Sequence, residues 1–165
     1  MKHPPNKRIL LIYPPPRGGD LFPVSMGYIA ASLKNHGFSI RLADLTAKSP
    51  LTVSQLAESV ERSRPLATGF SVCQTNIKEV LNMAAMIKKA YSKTLVILGG
   101  PQAMLMPGEA LLEMPQVDAL CRGEGETIFP RLGECLAAGV DPSRVKGLAI
   151  KRGGTVIETG PAVFE

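Results

Sequence analysis

The residues of this chain that could do chemistry lie directly after apolar segments, and most of them are small. Gly99-Gly100-Pro101-Gln102 follows Leu95-Val96-Ile97-Leu98, four aliphatic residues that predict a strand buried on both faces. Glycine lets the backbone approach a ligand closely, and proline removes one N–H from any continuation. Because ligands of open parallel sheets bind outside the carboxyl ends of the strands, the sequence places the floor of a ligand site here.

Two other strand ends carry residues of the same kind. Ser71-Val72-Cys73-Gln74-Thr75 follows a predicted strand, and the hydroxyls of Ser71 and Thr75 could admit a polar ligand arm between strands. Gly123-Glu124-Gly125 follows another strand. Both have simpler interpretations, because a lone serine most often satisfies a strand-end backbone group and acidic residues favour a helix N-terminus. The pattern predicts a binding site and no catalytic residue.

The cysteines and histidines do not predict a metal centre. The chain has three cysteines, Cys73, Cys121 and Cys135. Their odd number and wide spacing argue against a disulfide framework and against a zinc site. We expect them to behave as small buried hydrophobic residues. His3 and His36 are too few and too isolated for a conventional cluster.

Three common ligand chemistries of α/β sheets do not fit. A phosphate-accepting receiver domain needs a carboxylate at the end of the third strand, where this chain has Ser71. A dinucleotide site needs Gly-x-Gly-x-x-Gly after the first strand, and the residues there are Pro-Pro-Pro-Arg-Gly-Gly-Asp. Gly123-Glu124-Gly125 matches the first half of this motif, but Ile128 stands at the position of its third glycine. The absence of a glycine-rich phosphate loop after the first strand also disfavours a flavodoxin-type site.

The elements that position these residues alternate regularly along the chain. The predicted strands are 8–13, 38–43, 66–72, 95–98 and 117–121. Helical patterns separate them, which predicts an α/β protein with a doubly wound, five-stranded parallel sheet of Rossmann-like or flavodoxin-like type. Residues 38–43 alternate in polarity and are expected at an edge. Segments 147–150 and 155–158 flank Gly153-Gly154 and predict a C-terminal β-hairpin extension.

The ends of the first two helices follow known capping patterns. Ser25 is expected to cap the first helix, and Gly37 to stand just after its last turn. Thr52 and Gln55 predict a capping box for the second helix.

The later helices carry weaker boundary patterns. Asn76 with Glu79 is expected to open the third helix. Proline is tolerated best in a first helical turn, so Pro130 predicts that the last helix starts near Glu126 or Thr127.

Composition and charge exclude several classes of partner. The 165 residues are 45% hydrophobic and 20% charged with a net charge of +5, and the basic residues are scattered among few aromatics. This is not the pattern of a nucleic-acid-binding surface. No apolar run approaches the roughly 20 residues of a membrane span, and Ile9 to Tyr13 is too short for a secretory signal. We expect a cytoplasmic protein with a basic tail (1–7), a main domain (8–140) and a hairpin or linker (141–165).

The rim of the predicted site is apolar. Leu21-Phe22-Pro23-Val24 lies in the loop after the first strand, and Met104-Leu105-Met106 is expected in the loop after the fourth. Two apolar loops at one edge suit a large, flat, mostly hydrophobic ligand, or a docking protein.

This combination resembles the cobalamin-binding domain that precedes the catalytic barrel in class B (cobalamin-dependent) radical SAM enzymes. The resemblance covers the whole chain. It is carried, in chain order, by Tyr13-Pro14-Pro15, Pro23-x-x-Met26-Gly27-Tyr28, Gly69-Phe70-Ser71, Gly99-Gly100-Pro101-Gln102-Ala103 and Arg122-Gly123-Glu124-Gly125-Glu126.

The resemblance implies which residues would hold cobalamin. The loop after the first strand, with the start of the first helix, would cover the corrin ring, and three further strand ends would hold the nucleotide tail. Ring contacts would come from Tyr13, Pro14, Pro15, Leu21, Phe22, Pro23 and Gly27. Tail contacts would come from Ser71, Val72, Cys73 and Thr75, from Gly99, Gly100, Pro101 and Gln102, and from Gly123, Glu124 and Gly125.

One departure from the wider cobalamin-domain pattern concerns the cobalt ligand. The Asp-x-His-x-x-Gly motif is absent after the first strand, His36 lies at the far end of a helix, and His3 lies in the tail. We therefore expect a cobalamin without a protein histidine below the cobalt, whose lower position is empty, water-filled or covered by Leu21 or Phe22.

The expected function is a cobalamin-binding module without a complete active site of its own. A Cys-x-x-x-Cys-x-x-Cys motif for a [4Fe–4S] cluster is absent. By resemblance, S-adenosylmethionine and that cluster would belong to a C-terminal radical SAM domain of the same polypeptide, which would act on a small-molecule substrate by methyl transfer or a related radical step. The alternatives are a non-catalytic interaction or regulatory domain and, third, half of a sugar-nucleotide transferase.

Overall fold

The computed structural model describes residues 6–14, 24–46 and 51–162, and within these ranges strands and helices alternate. The strands are β1 (Arg8–Tyr13), β2 (Ser39–Asp44), β3 (Ala67–Ser71), β4 (Leu95–Gly99), β5 (Ala119–Cys121), β6 (Leu148–Arg152) and β7 (Thr155–Glu158). The helices are α1 (Val24–Asn35), α2 (Val53–Ser63), α3 (Ile77–Ala90), α4 (Pro101–Leu105) and α5 (Gly125–Ala137). Short 3₁₀ helices span Gly108–Glu113 and Pro142–Arg144.

The described strands form one sheet in the order β2-β1-β3-β4-β5-β6-β7. The first five strands pair in parallel, and β6 and β7 add an antiparallel hairpin beside β5. The predicted doubly wound α/β fold is confirmed, and β2 lies at an edge as its alternating pattern indicated. The hairpin extends the same sheet, because Cys121 of β5 is in register with Leu148 of β6.

The central strands are buried on both faces because helices cover each side of the sheet. Along β1, Leu10 and Ile12 face the core cluster under α2 and α3, whereas Ile9 and Leu11 face the cluster under α1 and α5. This explains the run of aliphatic residues in β1, since a parallel strand with two covered faces has no polar alternation.

Two predicted helix boundaries are confirmed by their hydrogen bonds. After α1, Gly37 has φ +77°, and the N–H groups of Gly37 and Phe38 donate to the carbonyls of Lys34 and Leu33. This is a Schellman ending, which favours glycine. At the start of α2, the Thr52 hydroxyl accepts from the Gln55 N–H while the Gln55 side chain accepts from the Thr52 N–H, which is a complete capping box.

One predicted cap is not formed, and one helix that opens where predicted has no side-chain cap. The first helix begins at Val24, so Ser25 lies inside its first turn. Asn76 precedes α3, but its side chain makes no cap hydrogen bond; Oδ1 accepts from the Cys73 N–H at 2.9 Å instead. The asparagine therefore closes the turn after β3, because the nearby Cys73 N–H takes the oxygen that would otherwise cap the helix.

Two further boundaries differ from the sequence prediction. Met104 and Leu105, expected in a loop, lie on α4, which Pro101 opens at its first position. The last helix begins at Gly125, so Pro130 lies inside it rather than in its first turn. The carbonyl of Glu126, which would bond to the N–H that proline lacks, accepts the Ser32 hydroxyl at 2.7 Å.

The hairpin turn follows its sequence pattern. Gly153 and Gly154 have φ of +53° and +83°, the two positive values that a tight type I′ turn requires. That residues 141–165 lead towards a further domain stays a prediction. No helix within the described ranges is long and apolar enough to cross a membrane.

Candidate functional site

A cleft of about 180 Å³ lies between α1 and α5, above the carboxyl ends of β3, β4 and β5. Its position follows from the topology, since α1 follows β1 and α5 follows β5, and both helices pack on the same face of the sheet on either side of the ends of β3 and β4. The residues that line it are Ser25, Met26, Ile29, Gly69, Phe70, Ser71, Gly99, Gly100, Cys121, Gly123, Glu124, Gly125, Glu126 and Phe129.

The floor of the cleft is a row of small residues from three neighbouring strands. Ser71 of β3 is in register with Gly99 of β4. The pairing of Leu98 with Leu120 brings Cys121 of β5 next to Gly99 in the same row. These three residues end their strands on the α1 and α5 face of the sheet, where larger side chains would fill the cleft.

The two central glycines have different reasons to be glycine. A Cβ built on Gly99 would lie 3.7 Å from the Cβ of Cys121 and 3.9 Å from the Phe70 carbonyl, which are ordinary contacts, so a side chain there would occupy the cleft. Gly100 has φ +93°, and its Cβ would lie 3.0 Å from the Val72 carbonyl oxygen. Gly100 is therefore required by the backbone, whereas Gly99 keeps the space open.

The walls of the cleft are apolar and closely packed. The Phe129 ring lies against Gly69, where a Cβ would stand 2.7 Å from the ring. At the other end of the wall, a Cβ on Gly125 would stand 2.5 Å from Cδ1 of Ile29, so α1 and α5 approach closely beside the cleft. Glycine in these two positions lets the large side chains form a continuous wall.

The charges around the cleft are few and negative. Glu124 and Glu126 are exposed at its mouth, and none of the described residues that line it is a lysine or an arginine. Burial, with smaller contributions from Glu124 and Glu126, raises the pKa of the Cys121 thiol to about 12. The thiol therefore stays protonated, and the interior suits a neutral, largely apolar group with Ser71 as its polar contact.

The structure brings together six of the residues predicted from the sequence and places others outside the cleft. Ser71, Gly99, Gly100, Gly123, Glu124 and Gly125 line it. Val72 points into the core on the opposite face of the sheet, and the Cys73 thiol lies 3.2 Å from the Thr75 hydroxyl in the turn beyond β3.

The remaining predicted residues lie at the same edge but not in the cleft, or outside the described ranges. Pro101 and Gln102 open α4, and a Cβ on Gly27 of α1 would meet no atom within 4 Å. Tyr13 ends β1 and Pro14 follows it. The predicted ring contacts Pro15, Leu21, Phe22 and Pro23 lie outside the described residues.

Several lining residues were missed because they lie inside elements rather than at strand ends. Gly69 stands two residues before Ser71, so the two-residue period of a strand predicts that both face one side. Phe129 follows Gly125 by four residues, the spacing of one helix face. Met26 and Ile29 lie on the apolar face of α1, where they pack in the core cluster and also line the cleft. Cys121 does stand at a strand end, but it was expected to be a small buried hydrophobic residue; Phe70, Ser25 and Glu126 complete the set of missed lining residues.

The histidine that lies within the described residues, His36, is far from the cleft. His36 follows the last residue of α1, about 18 Å from its first turn at 1.5 Å per residue. It is exposed, and its Nδ1 lies 2.9 Å from the Ser32 carbonyl. Among the described residues, no three His, Cys, Asp or Glu side chains form a group that could hold a metal ion.

Comparison with known proteins matches residues 16–133 to the B12 binding domain family model. An uncharacterized methyltransferase of Pyrococcus horikoshii is 27% identical over 161 residues, which cover 93% of this chain and 35% of that protein. The cobalamin-dependent radical SAM methyltransferase TokK of Streptomyces tokunonensis is 32% identical over 110 residues, covering 66% of this chain and 16% of TokK.

A solved structure shares the fold over almost the whole chain. The radical S-adenosylmethionine methyltransferase TsrM from Kitasatospora setae, solved with cobalamin and a [4Fe–4S] cluster bound, superposes with a TM-score of 0.80 at 20% identity. The match covers 97% of this chain and 30% of TsrM. The chain thus spans about a third or less of these larger proteins, within which the matching domain is part of one polypeptide.

Proposed function

The chain belongs to the B12 binding domain family, and from this we propose that it is the cobalamin-binding module of a radical SAM enzyme. The cleft would receive the nucleotide tail of cobalamin, with the corrin ring lying over the carboxyl edge of the sheet. The observation that carries this proposal is the row Ser71, Gly99 and Cys121, which leaves room for a bulky neutral group between α1 and α5.

The chemistry of the cleft supports the base of the tail as its occupant. The base is flat and uncharged, and it would pack between the aliphatic side chains of α1 and the Phe129 ring of α5. The Ser71 hydroxyl is a hydrogen-bonding group on the otherwise apolar floor. Glu124 and Glu126 at the mouth would repel a free phosphate, so the phosphodiester of the tail would lie outside the buried part of the cleft.

Exposed apolar side chains near the cleft support a position for the corrin ring. Val24 and Tyr28 on the first turns of α1 are 56% and 66% exposed, and Met104 and Leu105 on α4 are 52% and 80% exposed. Both helices start at the carboxyl edge of the sheet, so these residues lie on the side from which a ring would approach. Contacts from Pro15, Leu21, Phe22 and Pro23 remain part of the proposal.

We also propose that no histidine of this chain binds cobalt from below. His36 lies at the far end of α1, and the cleft is lined by no histidine among the described residues. Electron paramagnetic resonance of the reduced Co(II) form tests this. We expect no nitrogen superhyperfine splitting from the axial position, and such a splitting, lost on substitution of His36 by alanine, would contradict the proposal.

The chain's own role is to bind and orient the cofactor. When bound, cobalamin supplies a cobalt centre able to carry a methyl group. S-adenosylmethionine and the [4Fe–4S] cluster would belong to a C-terminal radical SAM domain of the same polypeptide. A small-molecule substrate would bind in that domain and react there by methyl transfer or a related radical step. A cytoplasmic location is part of the same proposal.

Gel filtration after incubation with hydroxocobalamin tests the proposal directly. Co-elution of the protein with the visible corrinoid spectrum is the expected result. A second candidate function, docking of a protein partner, is favoured by the 80% exposure of Leu105. A colourless protein fraction at micromolar concentrations would contradict cobalamin binding and leave that second function.

A further inference from the structure

Pro130 leaves a gap in the hydrogen bonding of α5 one turn below the mouth of the cleft. A residue at this position would normally donate its N–H to the carbonyl of Glu126, and proline has no N–H to donate. A carbonyl without a partner would be free to tilt, and helices bend at such positions. The bend would move the segment Glu124 to Glu126, which forms one wall of the cleft.

Ser32 of α1 supplies the missing donor. Its hydroxyl donates to the Glu126 carbonyl oxygen at 2.7 Å across the contact between α1 and α5; Ser32 is half-buried and Glu126 is exposed. Ser32 follows Ile29 by one helical turn, and Ile29 both lines the cleft and packs against Gly125. The hydrogen bond and the Ile29–Gly125 contact therefore fix α1 against α5 at two adjacent points.

We propose that Ser32 is a positioning residue of the cleft, which sets the separation of its two helical walls by replacing the N–H that Pro130 lacks. Ser32 does not line the cleft, so its effect on a ligand is transmitted through Glu126. This inference rests on the proposed function for its ligand. That the Ser32 hydroxyl compensates for the N–H missing at Pro130 can also be tested without any ligand.

The first experiment is a double-mutant cycle on the 165-residue chain, read out by spectrophotometric titration with hydroxocobalamin. Loss of one neutral hydrogen bond predicts that Ser32→Ala raises the dissociation constant about fivefold. Pro130→Ala restores an N–H for Glu126, so Ser32→Ala in that background should change the constant less than about twofold. Ser32→Thr keeps the hydroxyl and should bind like the wild type. Equal losses in both backgrounds would overturn the proposal.

The matched control is Ser63→Ala. The Ser63 hydroxyl also donates to a helix carbonyl, that of Ser59, at 2.7 Å, but it lies in α2 on the other face of the sheet. We expect no change in the dissociation constant. If Ser63→Ala and Ser32→Ala weakened binding alike, the effect would reflect general stability and the positioning role would be wrong.

A second measurement needs no cofactor. Cys121 lines the cleft and is buried, so its rate of alkylation by a maleimide, followed by mass spectrometry of its peptide, reports how closely the walls approach. We expect Ser32→Ala to speed this reaction severalfold, and Pro130→Ala to suppress that effect. Unchanged alkylation would overturn the positioning role whether or not cobalamin binds. Absence of binding by the wild type, with the alkylation result as expected, would contradict the proposed function alone.

Discussion

Replacing Gly99 by alanine should separate the binding of cobalamin from the stability of the fold. The backbone of Gly99 does not require glycine, since its φ lies outside the positive region, and a Cβ there would meet its nearest neighbours at 3.7 Å and 3.9 Å. An alanine that the native backbone accepts stabilises a protein by about 0.4–1 kcal/mol, because it restricts the unfolded chain. The variant should therefore unfold at the same temperature as the wild type or slightly above it.

The same methyl group would occupy the centre of the cleft floor. Forcing one extra methyl into a packed contact costs about 1–3 kcal/mol, which corresponds to roughly a five- to 150-fold weaker complex. The cleft is only about 180 Å³, so a leucine at this position should abolish binding at micromolar cofactor. Affinity should thus fall in a variant whose thermal stability does not.

The assay is titration with hydroxocobalamin, paired with thermal unfolding of the unliganded chain. Gly153→Ala is the matched control, because Gly153 lies in the hairpin turn with φ +53° and its Cβ would meet nothing within 4 Å. That variant should lose about 1 kcal/mol of stability and keep its affinity. If Gly99→Ala bound hydroxocobalamin as tightly as the wild type, the assignment of this cleft to the tail would be refuted.

Three further predictions follow from other parts of the molecule. Burial raises the pKa of Cys121, so the unfolded chain loses the thiol proton near pH 9, whereas the folded chain keeps it up to about pH 12. Between these pH values the free energy of unfolding should therefore fall by about 1.4 kcal/mol for each pH unit. Urea unfolding would show this slope, and the slope should flatten in Cys121→Ala; an identical slope in that variant would exclude Cys121 as the cause. Arg64, with φ +47°, ends α2 in the left-handed conformation, so Arg64→Gly should raise the free energy of unfolding by about 0.5–1 kcal/mol, and a lower melting temperature would contradict this. Asp118→Ala should cost about 1–3 kcal/mol in urea unfolding, because Oδ2 accepts the Val96 N–H at 2.7 Å and binds Lys88 at 2.6 Å, whereas Asp118→Asn, which keeps an acceptor, should lose less.

The parts of the fold that the sequence predicted are those controlled by local chemistry. The Schellman ending at Gly37, the capping box at Thr52 and the two-glycine hairpin turn each need a particular residue type at one position. The aliphatic run of β4 likewise identifies a strand with two covered faces. Strand-end placement of Ser71, Gly99 and Gly123 was sufficient to locate the cleft, because parallel strands bring their carboxyl ends to one edge.

The missed features depend on contacts between distant residues. Pro130 was used to place the start of α5 near Glu126 or Thr127; the helix begins at Gly125, which puts Pro130 inside it, and the Glu126 carbonyl that lacks a proline N–H accepts the hydroxyl of Ser32, 94 positions away. Asn76 has the residue type of a cap, yet its oxygen is taken by Cys73. Neither hydrogen bond can be read from the residue types alone, because each depends on how the folded chain places its partner. Similarly, the cleft walls need Gly69 and Gly125 because of Phe129 and Ile29, which are 60 and 96 positions away in the sequence.

The hairpin has a consequence for how a further domain could meet the cofactor. After α5 the chain lies at the amino edge of the sheet, away from the cleft, since α5 begins at the carboxyl edge and runs back along the strands. Strand β6 runs antiparallel to β5, from the carboxyl edge to the amino edge, and β7 runs antiparallel to β6 in the opposite direction. Residues 159–162 therefore lie at the carboxyl edge. There the Cβ of Ala162 would lie 3.4 Å from a Cβ on Gly123, whose loop borders the cleft. Any domain that continues from this point starts next to the cleft, and a short tether gives it a high effective concentration over a bound corrin ring. The hairpin both begins and ends at the carboxyl edge: residues 138–147 carry the chain there after α5, the Gly147 N–H donates to the Gly160 carbonyl at 2.8 Å, and β6 and β7 return the chain to the same place.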